Sequence, residues 1–301
     1  MPEPQPGIFA LGTSSHAYLE FDLGASVDAA AAVERVASLR EPRTTIGGVN
    51  LVAGFRPELW AAAAPDAAAD GVTGFNRPLV GRDGYTVPAT QHDVVIWLTG
   101  ASYDVVFDLS RGVITELDGA VRLANEIVGW PYHHDRDLTG FIDGTENPTL
   151  VDAMRVAVIG EGRPCGGGSV LLLQQWQHDA IGWESLPVET QEAVMGRRKG
   201  DGAELDPKPQ DSHVARTDQD VFGRIFRRNI AYGTIEEHGT IFVGFAADQQ
   251  ILATMLESMI GNLSPAEPAD SLTRFARPVT GAYYVIPSAD RLAAFGEDRR
   301  V

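Results

Sequence analysis

The sequence predicts an α+β fold in which sheets carry helices on one face. Strand-like and helix-like segments follow one another in the same order in each half of the 301-residue chain, with the longer irregular segments between them. A content of 44% apolar residues is enough to fill substantial cores. We find no residue-level repeat, so the two halves resemble each other in element order alone.

The first half contains a strand with clean alternation of apolar and polar side chains, which predicts that one face is buried and the other exposed. The helix after it is rich in alanine, and Ser26 is its predicted N-cap. The predicted elements of this half are a strand from His16 to Leu23, a helix from Ser26 to about Leu39, a buried strand from Val94 to Leu98 and a helix from Tyr103 to Leu117.

The second half repeats this order and ends its last helix at Gly261, a residue type that commonly terminates helices. Residues 62–70 and 200–212 are predicted to be exposed loops because of their Ala, Pro, Gly and Asp content. We place the domain boundary near Gly129, which gives domains of residues 1–128 and 129–301. The predicted elements of this half are a strand from Ser169 to Gln174, a helical stretch from Glu189 to Met195, a strand from Thr240 to Ala246 and a helix from Gln249 to Ile260.

Composition restricts the partners and the compartment. Lys and Arg total 24 against 41 Asp and Glu, and the net charge of −17 disfavours binding to nucleic acid or to an anionic membrane. We see neither an apolar run of transmembrane length nor an export signal at the start. The single cysteine, Cys165, cannot form an internal disulfide, as suits a reducing compartment. We therefore expect a cytoplasmic protein.

The most informative segment is residues 136–148, which read Arg-Asp-Leu-Thr-Gly-Phe-Ile-Asp-Gly-Thr-Glu-Asn-Pro. It places Asp143 between Gly140 and Gly144, so that the backbone beside the acid can lie close to a flat ligand. The short Gly-x-x-Asp-Gly motif alone is more often a surface turn. The whole string closely resembles the signature of dye-decolourising peroxidases, which are haem enzymes.

This resemblance covers nearly the whole chain and is greatest to the B-type members. It implies two ferredoxin-like domains in tandem, with antiparallel sheets, helices on the outside and heme b in the C-terminal domain. It also implies a peroxidase that reduces hydrogen peroxide and oxidises dyes, phenols or other small aromatic donors through a ferryl-oxo intermediate. Relatives are often homo-oligomers, and some carry a C-terminal tag for encapsulin shells, which is not evident here.

The resemblance also assigns the proximal side of the haem. Seven histidines are present, and the block from Gly196 to Lys199 followed by His213 resembles the family's proximal stretch. On this match His213 is the iron ligand and Asp270 accepts a hydrogen bond from its other ring nitrogen. An Asp that merely caps a short helix is nearly as good an interpretation of Asp270. Arg197 is the best match for a residue that meets a haem propionate.

The distal side is predicted from the segment between Ile225 and Gly233. If this segment is extended, Arg227 and Asn229 project to one face and Arg228 projects to the other, towards solvent or a carboxylate. A basic surface edge would show the same pattern. On the resemblance, Arg227 is the distal arginine and Asn229 its companion. Asp143 then moves a proton between the two peroxide oxygens while Arg227 stabilises negative charge.

Gly144 and Thr145, which follow Asp143, are predicted to contact the cofactor.

Three other interpretations of the function stay open. The first is a haem carrier or iron-releasing protein on the same fold, because fold alone does not fix function. The second is a haem-thiolate enzyme that uses Cys165, which lies beside a run of glycines. The third and weakest is a zinc hydrolase, because adjacent histidines lack the usual ligand spacing; its ligands would be His133, His134 and Asp135.

Overall fold

The computed structural model describes residues 2–39, 48–133 and 135–297. Its strands are β1 (Ser15–Leu23), β2 (Asn50–Phe55), β3 (Leu79–Val80), β4 (Thr86–Val87), β5 (Val94–Gly100), β6 (Val121–Trp130), β7 (Ser169–His178), β8 (Phe226–Arg227), β9 (Ile230–Gly233), β10 (His238–Ala246), β11 (Ala276–Pro278) and β12 (Ala282–Ile286).

The α-helices lie between and after these strands, and three short 3₁₀ helices span Pro6–Phe9, Pro65–Ala67 and Ser271–Arg274. The α-helices are α1 (Ala29–Ala37), α2 (Pro57–Ala63), α3 (Tyr103–Leu117), α4 (Leu150–Ala157), α5 (Ala180–Glu184), α6 (Val188–Met195), α7 (His213–Arg216), α8 (Gln219–Phe222), α9 (Gln249–Met259) and α10 (Ala289–Glu297).

Two antiparallel four-stranded arrays form the centre of the molecule. The first has the order β2-β5-β1-β6 and the second the order β12-β7-β10-β9, with β11 and β8 as additional edge strands. The arrays join at both margins, where Val285 of β12 pairs with Phe55 of β2, and Gly129 of β6 pairs with Tyr232 of β9. The eight strands therefore form a closed ring, and its two joints are short, with one residue pair between β12 and β2 and two pairs between β6 and β9.

The two arrays pack their inner faces against each other. Tyr18, Trp97 and Ile127 of the first array form one buried cluster with Leu171 and Phe245 of the second. The outer face of the first array packs against α1 and α3, and the outer face of the second packs against α9. Because strand side chains alternate between faces, the same strands that build the inner core also present residues to the α9 side. A cavity lies on that side.

The structure confirms the α+β class, and α3 has the predicted bounds. The half-buried interpretation of β1 is wrong, because its first seven residues are all buried. His16 and Glu20 of β1 are buried, and Glu20 accepts hydrogen bonds from Tyr284 (2.5 Å) and Asn125 (2.7 Å).

Two further local predictions are corrected. The N-cap of α1 is Asp28 and not Ser26, because an Asp28 carboxylate oxygen accepts the Ala31 amide at 2.8 Å. Residues 62–70 are not simply an exposed loop, since they include the end of α2 and a 3₁₀ helix, and Ala67 is buried where its carbonyl accepts Trp60 Nε1. In contrast, Gly261 follows α9 with a φ of +74°, as predicted for a helix stop.

The predicted boundary between residues 128 and 129 falls within β6 and stays a prediction. Within the ranges that the structure describes, no helix has the length and apolar character needed to cross a bilayer.

Candidate functional site

A large cavity lies between the outer face of the second array, α9 and the segments around α7. Its empty space is about 880 Å³, part of which is open to solvent. Two smaller cavities adjoin it, and all three share Asp137, Arg227 and Asn229 as lining residues. Apolar side chains form much of the wall of the large cavity: Leu172, Trp176, Ile225, Phe242, Leu252, Met255, Leu256 and Met259.

His213 begins α7 at the border of this cavity. Its Nδ1 lies 2.7 Å from Oδ2 of Asp270, whose side chain is fully buried. The other Asp270 oxygen accepts the Leu272 amide at 2.8 Å and so caps the 3₁₀ helix Ser271–Arg274. Both interpretations of Asp270 from the sequence thus describe the same side chain, which is a helix cap and a hydrogen-bond partner of His213.

Burial and charge act in opposite directions on His213. Burial of the imidazole lowers its pKa, but the Asp270 carboxylate outweighs this effect and holds the pKa above its usual value. His213 lines two of the cavities, and 21% of its side chain is exposed. The carboxylate thus fixes Nδ1 and leaves Nε2 as the ring nitrogen available to a ligand.

Arg227 and Asn229 line the same cavities, as the predicted extended register requires. The backbone of Arg227 is held by Asn147, whose side-chain oxygen accepts the Arg227 amide and whose side-chain nitrogen donates to the Arg227 carbonyl, both at 2.9 Å. Nε of Arg227 has no hydrogen-bond partner among the described residues. Within the described part of the chain Arg227 forms no ion pair with a carboxylate, and its guanidinium is a positive group at the cavity.

Asp143 stands near these residues on its Asp-Gly turn. Its Oδ1 accepts the Gly144 amide at 2.7 Å and Nδ2 of Asn229 at 3.3 Å. Gly144 has a φ of +74°, which glycine adopts without strain. Asn229 also accepts the Val243 amide of β10 at 3.3 Å, so it ties Asp143 to the sheet. The structure therefore brings Asp143, Asn229 and Arg227 together, and the roles assigned to them stay predictions.

Arg228 points away from the cavity, but its predicted destination was wrong. It is 8% exposed and donates to the carbonyls of Ile8 (2.8 Å) and Ala10 (2.6 Å), with its guanidinium carbon 5.1 Å from the Trp97 ring centroid. Little of it is exposed, and it forms no ion pair with a carboxylate among the described residues, because the face opposite the cavity is the core between the arrays. Backbone carbonyls and an aromatic face satisfy the cation there.

Arg197 and Thr145 line the adjoining cavity that also contains His213. One terminal nitrogen of Arg197 lies 2.7 Å from both Glu146 and Glu204, so its charge is shared with two carboxylates. Gly196, just before it, has a φ of +83°, and a Cβ there would lie 2.6 Å from Oγ of Ser212, the N-cap of α7. This close approach sets the position of the helix that carries His213.

The lining residues that were not predicted from the sequence include Asp137, Asn147, Gln174 and His178. Asp137 and Asn147 lie inside the 136–148 string, where their side-chain directions could not be inferred. Gln174 and His178 lie on β7, and the two-residue period of the strand gives the missed signal, because Leu172 and Trp176 line the same wall. Burial lowers the pKa of His178 to about 4, with a smaller contribution from His238.

The structure also bears on the alternative sites. Cys165 lies in a separate pocket with Pro2 and Arg291, away from His213, and burial raises the pKa of its thiol to about 11. His134 lies outside the described residues. Among residues 2–39, 48–133 and 135–297, no group of three or more His, Cys, Asp or Glu side chains could hold a metal ion.

Comparison with known proteins gives concordant matches. A family model described as Dyp-type peroxidase, C-terminal, matches residues 134–291. The dye-decolorizing peroxidase of Mycobacterium tuberculosis is 37% identical over 218 residues, which are 69% of this chain and 64% of that protein. The Brevibacterium linens protein of the same name is 35% identical over 224 residues, 70% of this chain and 59% of that protein. The chain thus spans less than two thirds of these relatives.

Solved structures match over nearly the full chain. The crystal structure of a dye-decolorizing peroxidase from Bacteroides thetaiotaomicron has a TM-score of 0.88 and 29% identity, covering 98% of this chain and 99% of that one. A DypB variant from Rhodococcus jostii in complex with heme has a TM-score of 0.83 and 31% identity, covering 95% of this chain and 98% of that one. The chain belongs to the Dyp-type peroxidase family.

Proposed function

We propose that this protein is a haem peroxidase that reduces hydrogen peroxide and oxidises dyes, phenols or other aromatic one-electron donors. The observation that carries this proposal is the His213–Asp270 hydrogen bond of 2.7 Å beside a cavity with apolar walls that also contains Arg227. A histidine held by a buried carboxylate is a typical protein ligand of haem iron. The solved DypB variant with heme supports heme b as the cofactor.

The residues present fit this cofactor. A porphyrin needs a broad apolar slot, and the large cavity has walls of aliphatic and aromatic side chains. The buried amide of Gln174 on this wall has no hydrogen-bond partner among the described residues, although buried polar groups are normally satisfied. A ligand in the cavity is therefore expected to complete the contacts of this wall.

We assign the iron to His213 and its orientation to Asp270. When bound, the haem supplies the iron centre at which peroxide is reduced. Asp143 would accept a proton from one peroxide oxygen and return it to the other, and Asn229 would hold the Asp143 carboxylate in place. Arg227 would stabilise the negative charge that develops as the oxygen–oxygen bond breaks, because it is a cation at the cavity whose Nε has no hydrogen-bond partner among the described residues.

We propose that the propionate end of the haem lies near Arg197, Gly144 and Thr145. Arg197 and Thr145 line the adjoining cavity with His213, and Gly144 lines the cavity beside Asp143. The Arg197 guanidinium already contacts Glu146 and Glu204. A propionate would therefore compete with these two carboxylates for the same cation.

The ligand assignment is tested by haem titration of His213→Ala, with His178→Ala as the matched control. Both histidines line the large cavity, but only His213 is held by a buried carboxylate. We expect His213→Ala to lose tightly held haem and His178→Ala to retain it. Loss in His178→Ala together with retention in His213→Ala would reverse the assignment.

A haem carrier or iron-releasing protein would bind haem in the same way. Steady turnover with hydrogen peroxide and a phenolic donor separates the two functions, because a carrier would show no sustained oxidation of the donor. Release of free iron from the haem, without donor oxidation, would favour the alternative.

We further propose that each half is a ferredoxin-like domain. The order of strands and helices in each four-stranded array supports this assignment. It is β1-α1-β2-β5-α3-β6 in the first array and β7-β9-β10-α9-β12 in the second.

We also propose a cytoplasmic homo-oligomer. The exposed apolar residues Leu150, Val151 and Met154 at α4 support self-association, and sedimentation analysis would measure the number of subunits.

A further inference from the structure

Asp137 is a second carboxylate at the cavity, and the roles proposed above do not use it. Its Oδ1 accepts hydrogen bonds from the amide (2.8 Å) and the hydroxyl of Thr139. Thr139 is itself fixed, because its carbonyl accepts Nε1 of the buried Trp183 at 2.9 Å. The carboxylate is therefore held in one orientation by a rigid turn.

The position of Asp137 is as distinctive as its contacts. Together with Arg227 and Asn229 it lines the large cavity and both adjoining ones. One of the adjoining cavities, which we call the outer cavity, is also lined by Asp143 and by the exposed residues Leu11, Pro131 and Asp135. Asp137 thus lies at the junction between the solvent side and the apolar interior.

The environment also suits a group that exchanges protons. Burial raises the pKa of Asp137 to about 6, and the nearby Asp143 adds to this effect, while the Thr139 hydrogen bonds and His213 act against it. The other charged groups that line these cavities are Arg136, Arg197, Arg227, Asp135 and Glu146, while Arg228 borders the outer cavity with its guanidinium in the core. A carboxyl group in this state can both hold and release a proton near neutral pH.

Proton balance creates a need for such a group. Reduction of one hydrogen peroxide to two water molecules consumes two electrons and two protons. A proton that Asp143 moves from one peroxide oxygen to the other leaves this balance unchanged. The donors supply the electrons, and two protons must therefore reach the cavity from outside in each cycle.

We propose that Asp137 carries these protons from the outer cavity to the interior during turnover. This inference rests on the proposed peroxidase function and adds a proton-entry residue to it. Asp137 accepts a proton on the solvent side, passes it towards the water that forms in the cavity, and is protonated again from outside.

The test compares Asp137→Asn with Asp135→Asn, which changes an exposed carboxylate two residues earlier that also lines the outer cavity. The amide introduced by Asp137→Asn retains an oxygen for the Thr139 bonds but cannot carry a proton. We expect Asp137→Asn to slow donor-dependent turnover by about tenfold or more, since positioned proton transfer contributes about 10²–10⁴-fold and water replaces part of it. The first reaction with peroxide should change little, and Asp135→Asn should resemble the wild type.

A second readout needs no haem. Infrared difference spectra of the haem-free protein across a pH titration should show the carbonyl band of a protonated carboxyl group, which disappears as pH rises through about 6 and is missing in Asp137→Asn. Thr139→Val removes a hydrogen bond that lowers the pKa of Asp137, so the midpoint should move to higher pH.

Each of the two measurements has an outcome that would contradict the proposed proton entry through Asp137. A turnover rate and pH profile of Asp137→Asn that coincide with those of the wild type would exclude proton entry through Asp137. An unshifted midpoint in Thr139→Val would show that the titrating group is not this carboxyl, even if Asp137→Asn cannot be purified. A wild-type protein that binds no haem or turns over no donor would instead refute the proposed function itself.

Discussion

The two carboxylate oxygens of Asp270 have different partners. One caps a 3₁₀ helix, and the other accepts a hydrogen bond from His213. Its own backbone amide donates to the Met259 carbonyl at the end of α9 at 2.8 Å. The position of the carboxylate is therefore fixed by α9 as well as by its own turn. A side chain held in this way can impose one orientation on the imidazole beside it.

The charge of Asp270 has a measurable consequence in the haem-bound protein. Asp270→Asn preserves the size of the side chain but removes the negative charge, which makes the His213 ring a weaker electron donor. We expect the reduction potential to rise by roughly 60 mV or more, a tenfold change in a one-electron equilibrium. Spectroelectrochemistry measures it, and Glu267→Gln, which alters an exposed partner of Arg216, is the control. An unchanged potential would contradict the proposed role.

Arg227 is expected to determine the rate of the first reaction with peroxide. Arg227→Leu removes the cation while the backbone clamp from Asn147 stays in place. The absorbance change of the haem after mixing with hydrogen peroxide should slow by about 10²-fold or more, the usual effect of losing one preorganised charge or donor.

The matched control for Arg227 is Arg224→Leu, which changes a 60% exposed arginine three residues earlier. We expect this variant to react with peroxide at the wild-type rate. Equal rates in Arg224→Leu and Arg227→Leu would mean that peroxide is reduced without a positive group at this position.

At the scale of one element, alternation places the two arginines of the segment from β8 to β9 on opposite sides of the chain. Arg227 faces the cavity, while Arg228 reaches the core and holds the N-terminal segment through Ile8 and Ala10. Arg228→Leu leaves two carbonyls without their donor, and we expect the free energy of unfolding to fall by about 2–4 kcal/mol. Chemical denaturation of the haem-free protein measures this loss.

The exposed Arg224→Leu serves again as the control, with an expected change within about 0.5 kcal/mol. A loss in Arg228→Leu as small as this would show that the core contacts of Arg228 contribute little to stability.

The segment from β8 to β9 also shows which features could be predicted from the sequence alone. Alternation correctly predicted that Arg227 and Asn229 share a face, because it is a local property of extended chain. It could not predict what lies beyond the other face, because the contact of Arg228 with Trp97 joins distant parts of the chain. The pairing of His213 with Asp270, 57 residues apart, came from family resemblance and not from any local pattern.

For the whole molecule too, local features could be predicted from the sequence and contacts between distant parts of the chain could not. The α+β class and the bounds of α3 could be predicted, since they depend on composition and periodicity. The closed ring could not, because one of its joints is a single pair between Val285 and Phe55. The error on β1 has this cause, since its polar face lies inside the ring. A half-buried strand was the correct inference for a single open sheet.

Ring closure has a consequence for the order of events during synthesis. Chains leave the ribosome from the amino-terminal end at about 5–20 residues per second. The first array is complete once β6 has emerged, whereas the second array and its joint with β2 wait for β12 (Ala282–Ile286). The first array can therefore serve as a template on which the second closes. We expect haem to be captured only afterwards, so ribosome-stalled chains that lack β12 should not retain it.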